Sequence, residues 1–162
     1  MMALEDKVVS LLAKRHMTVA TAESCTGGLL SGRLINVPGA SDVINVGFVT
    51  YSNDAKSEYL GVSADTLRTH GAVSPECAKE MAEGVAARTG SDAGLATTGI
   101  AGPGGGTDDK PVGLVYIGCC IGGTTKVMEC HFDGDRMSVR QQAVETALTM
   151  LYEGLSDQNT ER

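Results

Sequence analysis

The stretch TVATAESCTGGLLSGRLINV, residues 18–37, changes its hydrophobic rhythm halfway along. Residues 18–22 alternate in twos, the period of a strand, whereas residues 26–37 place apolar side chains at helical spacing. Pro38-Gly39 stops that helix, and Ser24 marks the turn before it. A strand running straight into a helix is the first sign of an α/β layered fold.

The neighbouring segments extend the pattern. Upstream, residues 3–17 read as a helix, with Val8, Leu11 and Leu12 on one face and charges opposite. Downstream, VINVGFVTY (43–51) is β-branched and mostly apolar, which predicts a buried strand. NDAKSEYLG follows as a helix opened by Asn53 or Asp54, both good N-caps. Two more helices come next, the second capped by Ser74, begun by Pro75 and ended at Gly90. Residues 92–100 read as a strand and 101–111 as a glycine-rich loop. The strands VGLVYIGCCI and TKVMECHF are joined by Gly122-Gly123, a hairpin signal, and a last helix covers about 135–154. The expected architecture is a single layered α/β domain: a mixed, mostly parallel sheet with a late β-hairpin, flanked by helices. That domain is expected over 1–155, with a polar, disordered tail at 156–162.

Composition narrows the function. The chain has 162 residues, 42% of them hydrophobic, with two Phe, four Tyr and no Trp. Aliphatic residues and Met must therefore fill one ordinary core. A net charge of −7, with only 13 scattered Lys and Arg, argues against a nucleic-acid partner, which requires clustered cations. No apolar run approaches a membrane span and no signal peptide is recognisable. Five cysteines without framework spacing (25, 77, 119, 120 and 130) fit a reducing cytoplasm and buried, unpaired thiols. None has zinc-ligand spacing, so no metal is expected.

Three strand ends carry unusual residues: ESCTGG, TYSNDAK and TTGIAGPGGG. Ligands of open α/β sheets gather at such ends. Gly27 and Gly28 would open a helix whose free N–H groups suit an anion, though no P-loop or dinucleotide fingerprint is present. Ser24 is either a helix cap or a nucleophile, and Cys25 beside it needs a nearby base or cation to be reactive. The histidines at 16, 70 and 131 lie away from these turns, which weakens any Ser-His device. Lys56 follows a strand end in the first turn of a helix, either as solvated surface or as a base of lowered pKa. Tyr51 is a core aromatic or a proton relay, and Arg136 is a phosphate holder or an exposed helix-start residue. By residue chemistry alone the site is a small-anion site of undecided reaction.

Five motifs in order resolve more: TAESCTGG, GFVTYSNDAK, GAVS, TGIAGPGGG with KPVG, and GDR. Together, over about residues 4–154, they resemble the C-terminal domain of the competence- and damage-inducible CinA proteins. The fused proteins' N-terminal domain has no counterpart here, so the resemblance implies a stand-alone form. Some such domains are nicotinamide-nucleotide amidohydrolases. The resemblance therefore implies hydrolysis of nicotinamide mononucleotide to nicotinate mononucleotide and ammonia, without a cofactor, in the cytoplasm. It implies Ser24 as nucleophile, Lys56 as base and Tyr51 as assistant. The amides of Thr26 and Gly27 would form the oxyanion hole. Gly28, Thr98, Gly99, Gly102 and Arg136 would bind substrate, the 99–106 loop and Arg136 taking the phosphate. The expected partners are this small molecule and further copies of the chain, as a dimer or larger homo-oligomer. The rival reading is a non-catalytic nucleotide-binding or regulatory module linked to competence, in which Ser24 caps a helix and Lys56 holds the phosphate.

Overall fold

The computed structural model describes residues 1–158. Its elements run α1 (Leu4–Lys14), β1 (Val19–Glu23), α2 (Leu29–Ile35), a 3-10 turn (Ala40–Asp42) and β2 (Ile44–Val49). Then come α3 (Asn53–Leu60), α4 (Ala64–His70), α5 (Pro75–Thr89), β3 (Ala93–Gly99), β4 (Leu114–Ile121), β5 (Thr124–His131) and α6 (Arg136–Asp157). The five strands form one sheet in the order β2-β1-β3-β4-β5. Strands β1, β2 and β3 are mutually parallel, while β4 and β5 add the antiparallel hairpin. This is the mixed α/β sheet that the alternation of periods predicts.

Helices cover both faces. Helices α1, α2 and α6 pack together and against β1, β3 and β4, with Leu12, Leu30, Leu148 and Leu151 fully buried among them. On the other face α5 lies across β1, β3 and β4, and α3 and α4 pack onto α5. The contact of α5 with the sheet needs glycine. A Cβ at Gly94 would sit 2.2 Å from the Ala82 carbonyl oxygen, and one at Gly118 would sit 2.5 Å from that of Ala78. Both values lie far inside van der Waals contact, so either side chain would push the helix off the sheet.

Several boundaries differ from the sequence expectation, each for a local reason. Strand β2 alternates between half-buried and exposed positions, because it forms the edge of the sheet. Its apolar run imitates a buried strand, since periodicity does not report how many neighbours a strand has. Helix α3 is capped by Ser52, whose Oγ accepts the Ala55 N–H at 3.1 Å, rather than by Asn53 or Asp54. Helix α2 starts at Leu29, three residues later than expected, because Gly27 (φ +57°) and Gly28 (φ +101°) take left-handed conformations and make a turn instead. Helix α6 continues through Asp157, beyond the expected end near 154 and into the expected tail. Residues 159–162 of that tail lie outside the described residues.

Candidate active site

Parallel strands bring the carboxyl ends of β1, β2 and β3 to one edge of the sheet. The connections leaving β1 and β2 run to opposite faces, through α2 and through α3–α5, so a crevice opens beyond β1. Ser24 is the first residue past β1, held in line by its N–H to the Thr97 carbonyl at 3.0 Å. Residues Thr50 and Tyr51 follow β2, and Thr98 and Gly99 close β3.

Lys56 is the largest fully buried side chain among the described residues, 1% exposed. Helical side chains lean toward the helix N-terminus, so its amine reaches back past the start of α3 to the end of β2. Nζ lies 2.8 Å from the Thr50 carbonyl, 3.2 Å from the Tyr51 carbonyl and 3.1 Å from Ser24 Oγ. A neutral amine has two N–H donors and one lone pair. Two carbonyls take two of its N–H groups; in the protonated amine the third N–H donates to Ser24 Oγ, and in the neutral amine the lone pair occupies that place. Burial pushes the lysine pKa below its ordinary 10.5, with an opposing influence from the Cys77 and Cys25 thiols. Burial also raises those thiols to about 11, so both are uncharged at neutral pH and the opposition is absent there. The positive end of the α3 dipole adds to the depression.

The amine and hydroxyl open onto a cavity of about 220 Å³, lined also by Tyr51, Thr98, Gly99 and Arg136. A larger groove of about 660 Å³ between α2 and α6 lacks such a pair, and its Arg33 is spent on Glu5 and Glu145. Gly28 lines that groove and not the cavity. Tyr51 is 65% exposed at the mouth. Its phenol lies 3.4 Å from Arg136 and makes no hydrogen bond to Ser24 or Lys56; the dyad meets Tyr51 through its backbone carbonyl. Arg136 also donates to the Gly102 carbonyl at 2.9 Å, which joins the glycine-rich loop to the mouth. Thr98 spends its hydroxyl on the Ala72 carbonyl, supporting the wall formed by Ala72 and Val73.

The turn after Ser24 departs from the expected oxyanion arrangement. The Gly27 N–H donates to the Ser24 carbonyl at 3.1 Å and is not free. Thr26 is locked by its hydroxyl to Glu23 Oε1 (2.6 Å) and to Thr97 Oγ1 (2.8 Å). The fully buried Glu23 carboxylate also accepts the Leu30 N–H at 2.8 Å and the Ser31 N–H at 3.1 Å, capping α2. Arg140, one turn beyond Arg136 on α6, donates to the Cys25 and Thr26 carbonyls. The sequence analysis gives neither Glu23 nor Arg140 a role. A glutamate closing a strand of small and β-branched residues was the available signal for the first. Nothing local signals the second.

The model of the CinA C-terminal domain matches residues 1–155. A Clostridium novyi protein named for competence-damage induction is 57% identical over 148 residues, 91% of this chain and 36% of its own length. The chain thus spans little more than a third of the curated relatives it matches. Among solved structures, the competence/damage inducible protein CihA from Agrobacterium tumefaciens is 44% identical. It superposes with a TM-score of 0.91 over 94% of this chain and 93% of its own. A CinA superfamily protein from Klebsiella pneumoniae is 38% identical, with a TM-score of 0.92 over 95% of this chain and 96% of its own.

Proposed function

The chain belongs to the CinA C-terminal domain family, and on that footing we propose that it hydrolyses the carboxamide of nicotinamide mononucleotide by a Ser/Lys mechanism. One observation carries the reading: a fully buried lysine of lowered pKa, with two carbonyls on its N–H groups and a serine hydroxyl 3.1 Å away. Ser24 Oγ attacks the carboxamide carbon while its proton passes to Lys56 Nζ. The carbonyl oxygen becomes an oxyanion, facing the Cys25 and Thr26 N–H groups. Collapse breaks the C–N bond, and Lys56 returns the proton to the departing nitrogen, releasing ammonia. Water then attacks the acyl-serine with Lys56 again as base, giving nicotinate mononucleotide and free Ser24.

The cavity, at about 220 Å³, is smaller than the roughly 300 Å³ at which whole-ligand pockets begin. In this reading the pyridine ring and amide enter it, and the ribose phosphate stays at the mouth beside Arg136 and the loop containing Gly102. The non-catalytic alternative asks Lys56 to hold a phosphate. With two N–H groups on the Thr50 and Tyr51 carbonyls, a protonated amine has a single donor left, and that one is directed at Ser24 Oγ.

The test is ammonia release from nicotinamide mononucleotide by the purified protein, in one-to-one ratio with nicotinate mononucleotide. Ser24→Ala abolishes it. Cys25→Ser retains most of it, because a thiol pushed up to about 11 is not a nucleophile at neutral pH. Absence of ammonia with the wild type, or the reverse order of the two variants, overturns the reading.

A further inference from the structure

In the turn 24–27 the carbonyls of Ser24, Cys25 and Thr26 are engaged, while two N–H groups have no backbone acceptor. The Ser24 carbonyl takes the Gly27 N–H at 3.1 Å, and the Thr26 carbonyl takes the Leu29 N–H at 3.0 Å. Arg140 supplies the rest: Nε donates to the Cys25 carbonyl at 2.9 Å and Nη2 to the Thr26 carbonyl at 3.1 Å. Neither the Cys25 nor the Thr26 N–H has a backbone acceptor among the described residues, the Cys25 N–H meeting only its own thiol, although both residues are buried. Buried amides without acceptors are rare, and a pair of successive ones forms an anion-binding nest.

A trans peptide is planar, so its N–H points opposite to its carbonyl. Holding the Cys25 carbonyl toward α6 turns the Thr26 N–H away from α6. Holding the Thr26 carbonyl likewise turns the Gly27 N–H onto the Ser24 carbonyl. That bond in turn sets the plane that carries the Cys25 N–H. Both idle donors therefore take their direction from one guanidinium. Gly27 leaves room for it: at φ +57°, a Cβ there would stand 3.2 Å from Arg140 Nη2.

We propose that Arg140 is the positioning residue of the oxyanion site, orienting the Cys25 and Thr26 N–H groups through the carbonyls behind them. The inference rests on the Ser24/Lys56 reading, so its test includes a reaction that does not need the nucleotide. Wild type and Arg140→Met are compared in nicotinamide mononucleotide hydrolysis and in acylation of Ser24 by p-nitrophenyl acetate. In acylation Ser24 Oγ bonds to the acetyl carbon, Lys56 takes the proton, and p-nitrophenolate leaves through the same oxyanion. Loss of one oxyanion donor costs on the order of 10²–10³ in turnover. Arg140→Met is expected to lose about a hundredfold in kcat and in acylation rate, with KM within threefold. The lysine limb of the pH profile stays in place. Arg140→Lys, which keeps one donor, recovers part of the loss, and millimolar guanidinium restores some activity to Arg140→Met. If Arg140→Met does not fold, Arg140→Lys carries the comparison, with a roughly tenfold kcat loss expected.

The outcomes separate the two proposals. Acylation that depends on Arg140, with no ammonia released, removes the nucleotide substrate and keeps the positioning role. A kcat within threefold of wild type, a loss confined to KM, or a wild type inert in both reactions overturns the positioning role.

Discussion

Replacing Lys56 by methionine isolates the amine, because the two side chains have similar length and the side chain is buried. A general base contributes about 10²–10⁴ in rate, which at 1.36 kcal/mol per decade is about 2.7–5.4 kcal/mol of barrier. Lys56 is 1% exposed, so no bulk water stands ready to replace it, and the loss in kcat belongs in the upper half of that range. Stability should move far less. Thr50 and Tyr51 lose one donor each, about 0.5–1.5 kcal/mol apiece, while the desolvation of the amine disappears. The net change is expected within about 2 kcal/mol. The assay is ammonia release across pH 6–10 beside urea unfolding of both proteins. The base works when neutral, so wild-type kcat/KM rises with pH and levels off below the ordinary lysine value of 10.5. A lowered folded pKa also means that the unfolded chain binds more protons between the two values. Stability therefore climbs with pH through that window and is lowest beneath it, and Lys56→Met removes that slope. A variant that keeps a tenth of wild-type kcat/KM, or a wild-type profile that follows an unshifted lysine, refutes the assignment.

Two further substitutions probe the surroundings of the dyad. Glu23→Gln keeps one acceptor but turns an amide N–H₂ toward either the Ser31 N–H or the donors on Oε1. It is expected to cost about 2–5 kcal/mol, read as a lower urea midpoint at unchanged slope; a cost under about 0.5 kcal/mol would contradict a buried carboxylate cap. Tyr51→Phe removes only the hydroxyl beside Arg136, so KM should rise a few-fold with kcat nearly unchanged, whereas a tenfold fall in kcat would restore Tyr51 as a proton relay.

Much of the scaffold was written locally. Hydrophobic period separated strands from helices, Ser74-Pro75 and Gly90 bounded α5, and Gly122-Gly123 placed the hairpin turn. These signals need only neighbours a few residues apart, so the chain by itself carries them. The place of Ser24, at a strand end among glycines, was legible for the same reason. Tertiary structure decided the rest. It made β2 an edge, because neighbour count is a property of the sheet and not of the strand. It turned the anticipated start of α2 into a left-handed Gly27-Gly28 turn, since an apolar pattern carries no sign of φ. It also gave Lys56 its surroundings. A lysine in the first turns of a helix reads as solvated surface until the fold buries it against a hydroxyl 32 residues away. Arg140 reaches the Cys25 carbonyl across 115 residues of sequence, a separation at which periodicity and capping say nothing. Local rules set which elements form, and only the packing of those elements decides which polar groups lose water together.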